Sequence, residues 1–281
     1  MYGRILACLL VTGLAATTAA AQLNDLVFAV TEGVTYQATP KEVRDRFLPL
    51  AEILGRAAGR RARLVLVSSY GDLRAGLASQ EYDVAFIHPA HVAMAEIKTG
   101  RYAAIAWTSG YTEYTVSLLV NANAPLKSMG DMTGHTIVTP DPDSITAAMV
   151  RAMFRSEKLP LSTAKELQPG SVRVVTTRYQ DAVPFYLENG FAEAGATASN
   201  AVVKAWLDKG GKVFARSHAV PVKQFVVASR VPVDQRQRMR EALVTLRDVK
   251  GGREALEASG YKGFLVPNAD VESAAIVWLG L

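Results

Sequence analysis

Apolar positions along the chain switch between two spacings, and each switch marks a change of element. Leu26-Val27-Phe28-Ala29-Val30 is a continuous apolar run that predicts a first strand. Residues 41–59 carry Val43, Phe47, Leu50, Ala51, Ile53 and Leu54 at helical spacing. Strands follow at 63–67 and 83–87, and helices at 72–79 and 90–99. Two more strands are predicted at 103–107 and 115–121.

A turn-rich joint, Asn121-Ala122-Asn123-Ala124-Pro125 with Gly130 beyond it, interrupts the alternation. The pattern then restarts. Strands are predicted at 136–139, 172–175, 192–196 and 212–215, with helices at 144–159, 180–189 and 198–210 between them. Gly190 stands where a helix stops. A later strand at 225–228 and a helix at 234–246 complete the periodic part. Strands alternating with helices predict an α/β architecture in two successive units.

The N-terminus predicts export. Arg4 precedes an apolar and small-residue run, Leu6 to Thr18, and then Ala19-Ala20-Ala21, with Gln22 as the first mature residue. That is the layout of a cleaved signal peptide over residues 1–21. The run is shorter than the ~20 apolar residues of a membrane span. Ile5-Leu6-Ala7-Cys8 sits too early to serve as a lipoprotein site. Cys8 leaves with the signal, so the mature chain is expected to have no disulfide, no thiolate metal site and no cysteine nucleophile. The formal charge of +5 is spread along the chain. Arg60, Arg61 and Arg63, and Arg236, Arg238 and Arg240, read as solvated faces, which argues against nucleic acid and supports only a weak attraction for anions.

In open α/β sheets ligands bind beyond the carboxyl ends of strands, beside helix N-termini that favour anions. Each strand-to-helix joint is therefore a candidate. Ser68-Ser69-Tyr70-Gly71-Asp72 offers Ser69 and Asp72, either caps or contacts, and Tyr70, the stronger site candidate. His88-Pro89-Ala90-His91 places two histidines at a helix start, each equally readable as a structural group or an anion contact. Ser144-Ile145-Thr146-Ala147, behind Pro140 and Pro142, would cradle an oxyanion with hydroxyls and backbone N–H groups or simply cap a helix. Arg178 and Gln180 stand at the next joint, with Arg178 equally readable as a surface charge, and Thr197 follows another strand. No phosphate-binding glycine loop, nucleophile elbow or zinc-protease motif occurs, so no catalytic residue, metal ligand set or cofactor is assigned.

Collinear segments resemble one family. They are Pro49-Leu50-Ala51-Glu52-Ile53-Leu54, Ser69 to Leu73 with Gly76 and Tyr82 to Phe86, and Tyr114 to Val120. Asp131 to Gly134 with Pro140 to Ala147, Asn189 to Ala196, and Gly260 to Pro267 continue the series. Together these resemble the periplasmic binding proteins of phosphonate, phosphite and phosphate ABC transporters.

The resemblance implies a type II periplasmic binding fold, two α/β lobes joined by a two-segment hinge around a ligand cleft. It implies lobe 1 over 22–119 and 219–281 and lobe 2 over 120–218. It implies contacts at Tyr70, Tyr114, Ser144, Thr146 and near Gln180, a periplasmic location, a monomer, a small anionic solute and an ABC permease as partner. A ligand-sensing module acting with a membrane histidine kinase is the alternative. The chain departs from the family's pattern at four places: Ser144-Ile145-Thr146 lacks one hydroxyl, Tyr179-Gln180 replaces Gly-His, Lys223-Gln224 replaces Asp-Pro, and His88-Pro89 stands where the family often has an aromatic or Gly-Pro.

Overall fold

The computed structural model describes residues 25–32 and 38–281. The expected signal peptide lies outside the described residues.

The strands are β1 (Leu26–Thr31), β2 (Ala62–Leu66), β3 (Val84–Ile87), β4 (Tyr102–Thr108), β5 (Ser117–Val120) and β6 (Thr136–Thr139). They continue as β7 (Leu161–Ser162), β8 (Val172–Thr176), β9 (Ala194–Thr197), β10 (Lys212–Arg216), β11 (Gln224–Ala228) and β12 (Phe264–Leu265). The helices are α1 (Pro40–Ala58), α2 (Tyr70–Ala78), α3 (Ala90–Lys98), α4 (Ile145–Ser156), α5 (Val183–Glu188), α6 (Asn200–Asp208), α7 (Val233–Val244), α8 (Gly252–Ser259) and α9 (Ala269–Leu279).

The strands form two six-stranded sheets, in the orders β12-β4-β11-β3-β1-β2 and β10-β5-β9-β6-β8-β7. β1 is parallel to both β2 and β3, as βαβ crossovers require. β11 enters antiparallel between β3 and β4, so a late segment of the chain completes the first sheet. The second sheet repeats the plan, with β6 parallel to β8 and β9, and β5 antiparallel to β9. The chain crosses between the sheets twice, and the crossings pair with each other. Tyr114 N–H donates to the Val220 carbonyl at 3.1 Å and Val220 N–H to the Tyr114 carbonyl at 3.0 Å. The boundary expected between residues 119 and 120 falls inside β5, all of which pairs in the second sheet. That register is set by strand pairing, which sequence period does not reveal.

Each sheet has its own core. In the first, the rings of Phe28 and Phe225 stack at 5.8 Å, and Phe86 meets Phe47 and Phe225 at 4.9 Å each. The second gathers Leu118, Ile137, Met149 and Phe154, all fully buried. α1 begins with a capping box, Thr39 and Glu42 bonding reciprocally, and ends at Gly59 with φ 68°. The helix expected over 180–189 splits into a 3₁₀ turn, Gln180–Ala182, and α5. Pro184 lacks the N–H that would bond the Gln180 carbonyl, so the α-helical ladder cannot start earlier.

α8 and α9 lie outside the predicted elements. α9 packs against both α3 and α4, and its Ala275 and Leu279 join the second core. Among the described residues no helix is long and apolar enough to cross a membrane.

Candidate functional site

A cleft of about 820 Å³ opens where the two chain crossings meet the sheets. The first-sheet side presents His88, at the end of β3, and Tyr111, just after β4. The crossing segments supply Tyr114, Val222 and Lys223. The opposite wall comes from Tyr179, Gln180, Asp181 and Ser199, at the N-terminal turns that follow β8 and β9. The cleft thus lies beyond the carboxyl ends of parallel strands from both sheets, the location open α/β sheets favour.

A second layer orients these side chains. The Tyr114 hydroxyl lies 3.2 Å from Thr146 Oγ1. Burial raises the Tyr114 pKa, so the phenol keeps its proton. Gln180 Oε1 accepts from the Thr197 hydroxyl at 3.1 Å and the Ala198 N–H at 2.5 Å, which fixes its amide orientation. Ser144 caps α4, its Oγ accepting the Ala147 N–H at 3.1 Å. Ser144, Thr146 and Thr197 are all buried. Thr146 and Thr197 bond the lining residues Tyr114 and Gln180 from behind.

Lys223 stands over a buried ionic cluster. Its Nζ is 3.2 Å from the Tyr261 hydroxyl and 3.9 Å from Glu32 Oε1. It lies 4.5 Å from the centre of the Tyr111 ring, a cation–π distance. Glu32 also accepts from the Tyr261 hydroxyl at 2.6 Å and from Arg46, whose Nη2 reaches Oε1 at 3.2 Å. Glu32, Arg46 and Lys223 sum to one net positive charge (−1, +1, +1); of the three only Lys223 lines the cleft, together with the carboxylate Asp181. Burial lowers the Lys223 pKa to about 8, with Glu32 opposing and Arg46 adding to the fall. The ammonium therefore remains the main form at neutral pH.

His88 Nδ1 is 3.0 Å from the Val222 carbonyl oxygen. Burial, then the Lys223 charge, lower its pKa to about 4. His91, the second residue of α3, is buried and does not line the cleft, and its pKa falls to about 3, chiefly through burial.

Of the residues singled out from sequence, the structure brings His88, Tyr114 and Gln180 to the cleft surface and Thr146 and Thr197 directly behind them. Tyr70 is packed in the first core and does not line the cleft. Arg178 is exposed, lies 5.4 Å from the Tyr179 ring centre, and lines a neighbouring depression with Asp141 and Pro142. Tyr111 and Asp181 line the cleft without having been singled out from sequence, while Tyr179 and Lys223 were noted only as departures from the family's pattern and not assigned as contacts. Among the described residues no group of three His, Cys, Asp or Glu is placed to hold a metal.

A family model described as the periplasmic substrate-binding protein of phosphonate ABC transporters matches residues 33–271. No curated protein matches the chain. Solved structures do. XAC2383 from Xanthomonas citri, bound to ATP, aligns with a TM-score of 0.74 at 13% identity, covering 91% of this chain and 96% of that one. PhnD1 from Prochlorococcus marinus, in complex with methylphosphonate, aligns at 0.60 and 13%, covering 90% and 96%. A binding-protein component of an ABC phosphonate transporter from Pseudomonas aeruginosa aligns at 0.56 and 14%, covering 91% and 94%. At these identities the likeness is one of fold, and the fold is that of type II periplasmic binding proteins.

Proposed function

The chain belongs to the family of periplasmic substrate-binding proteins of phosphonate ABC transporters, and on that premise we propose that it captures a small phosphorus oxyanion by closing its two lobes, then delivers it to a membrane permease. The lobes are the two sheets with their helices, and the paired crossings at Tyr114 and Val220 are the hinge. Hinge closure around a ligand is the motion such an arrangement permits.

The observation that carries the reading is the set of donors lining the cleft. A buried ammonium, Lys223, and the phenols of Tyr111, Tyr114 and Tyr179 converge on one space. Four donors, one of them cationic, suit an anion whose oxygens must exchange water for protein hydrogen bonds. His88 and Gln180 complete the lining, while Thr146 and Thr197 hold Tyr114 and Gln180 in place. Ser144 keeps the α4 N-terminus aligned.

The test is thermal denaturation of the purified protein with phosphate, phosphite, methylphosphonate, aminoethylphosphonate and sulfate. A ligand at a hundredfold excess over its Kd stabilises the folded state by about 2.7 kcal/mol. A rise with at least one phosphorus oxyanion is expected. No rise with any of them overturns the reading.

A further inference from the structure

His88 presents only one of its two ring nitrogens to the cleft. The other, Nδ1, is 3.0 Å from the Val222 carbonyl oxygen. A carbonyl can only accept, so this nitrogen carries the ring proton. Burial and the Lys223 charge hold the ring neutral at pH 7. A neutral imidazole has one N–H and one lone pair, so the remaining nitrogen, Nε2, is an acceptor. Among the described residues nothing donates to it, and it is not sealed from solvent.

The groups that share the cleft with His88 differ from it in kind. Tyr111 stands on its own side, Lys223 and Tyr114 on the crossing segments, and Tyr179 opposite. These satisfy bare ligand oxygens. Asp181, also opposite, is a carboxylate and accepts like His88. His91, the nearest histidine, is buried and faces Arg151, Arg74 and Asp143. A bound anion therefore meets donors for most of its oxygens and a lone pair at His88. An oxygen without a proton placed there would oppose lone pair to lone pair and leave a buried acceptor unsatisfied.

We infer that His88 reads a proton on the ligand, so that the cleft takes an anion retaining an acidic O–H, such as a phosphonate monoanion, and rejects the isosteric sulfonate. The inference rests on the oxyanion reading above and names the residue that sets its specificity. A phosphonate monoanion and a sulfonate have the same tetrahedral shape and the same charge. They differ in one hydrogen. Neither pocket volume nor net charge can separate them; an acceptor of fixed tautomer can. Sites built around a specific hydrogen bond reject analogues lacking it by large factors because the protein group is left unpaired.

Methylphosphonate and methanesulfonate form the matched pair for calorimetric titration at pH 6.5 to 7. Wild-type protein is expected to prefer methylphosphonate at least ~100-fold. In His88→Asn the amide N–H can still reach the Val222 carbonyl but nothing replaces Nε2. The two affinities are then expected to fall within ~3-fold of each other. A merely structural role would weaken both ligands equally and keep their ratio. Wild-type binding of both ligands with equal affinity overturns the inference and leaves the oxyanion reading standing, as does an undiminished preference in a folded His88→Asn. Binding of neither overturns the inference, and the oxyanion reading then falls only if phosphate, phosphite and aminoethylphosphonate also fail to raise thermal stability.

The tautomer is checked on the wild-type protein, in case His88→Asn fails to fold. With four histidines in the chain, the ¹⁵N side-chain spectrum is sparse. It should show His88 with a protonated Nδ1 and a bare Nε2 that shifts when methylphosphonate binds. A proton on Nε2, or no shift on saturation, overturns the assignment.

Discussion

Arg74 Nη2 lies 2.8 Å from Asp143 Oδ1, and this ion pair ties α2, on the first sheet, to the loop that leads into α4, on the second. Both side chains are about half exposed. The pair therefore links the two lobes whose closure is proposed above. Exposed pairs of this kind contribute ~0–1 kcal/mol and are screened by salt. Arg74→Ala is therefore expected to lower solute affinity by no more than ~5-fold. The difference from wild type should shrink between low and high salt in calorimetric titrations. A tenfold or larger loss that ignores salt would show Arg74 contacting ligand instead.

The two histidines of the His88-Pro89-Ala90-His91 segment set the acid limb of stability. Their folded pKa values are about 4 and about 3, below the ordinary 6.5. Between those values the unfolded chain binds protons that the folded protein does not, so stability falls as pH drops from about 6.5 toward 4. Urea midpoints measured across that range should decline. His91→Leu removes one of the two contributions and should flatten the decline. At pH 7 it should cost little, because His91 Nδ1 is buried without a partner among the described residues.

Lys223 acts on the alkaline limb. Its folded pKa of about 8 lies below 10.5. From pH 8 upward the unfolded chain holds the extra proton, so this group adds stability as pH rises toward 10.5. Lys223→Met is expected to raise the stability of the unliganded protein at pH 7 by ~1–3 kcal/mol, since a buried charge is replaced by an apolar chain. The same substitution should weaken anion binding at least ~10-fold by removing a charge-assisted donor. A variant that is more stable and binds as well as wild type would remove Lys223 from the site.

Asp83 carries a structural ion cluster. It is 1% exposed and accepts from Arg60 at 3.0 Å, Arg230 at 2.5 Å and the Val27 N–H at 2.8 Å. Asp83→Ala leaves a largely buried Arg60 charge and a strand N–H uncompensated. A loss of ~3–5 kcal/mol in chemical denaturation is expected, against less than half of that for Asp234→Ala, whose ion pair is exposed.

Gly252 is fixed by close approach. A Cβ there would lie 1.6 Å from the Leu246 carbonyl oxygen, a backbone atom that cannot turn aside. Gly252→Ala should cost ~1–3 kcal/mol or more by forcing α8 away from the preceding turn, read as a lowered denaturation midpoint with unchanged slope.

The alternation of periods determined the α/β class, the two successive units and most strand positions, because each element's apolar spacing is written locally. Lys41–Gly59 and Pro40–Ala58 differ by one residue at each end since the cap residues themselves carry the signal. The joints at His88 and Gln180 were also legible, because ligand sites in such sheets sit where strands end, whereas Tyr114 came only from the family resemblance. The two-residue strands β7 and β12 were not, as they exist only through their pairing with β8 and β4. Neither was α9, whose apolar positions serve two neighbours at once. Tyr70 read in sequence as a stronger site candidate than Ser69, yet packing drew its ring into the core that holds Phe28 and Phe86. The sequence by itself determined the α/β class, the two successive units and most of the longer helices and strands. Only the tertiary structure decided that Lys223 meets Glu32 and Tyr261, 191 and 38 positions away (223 − 32, 261 − 223), and which nitrogen of His88 faces the cleft, because long-range pairing and burial assign partners that no local period encodes.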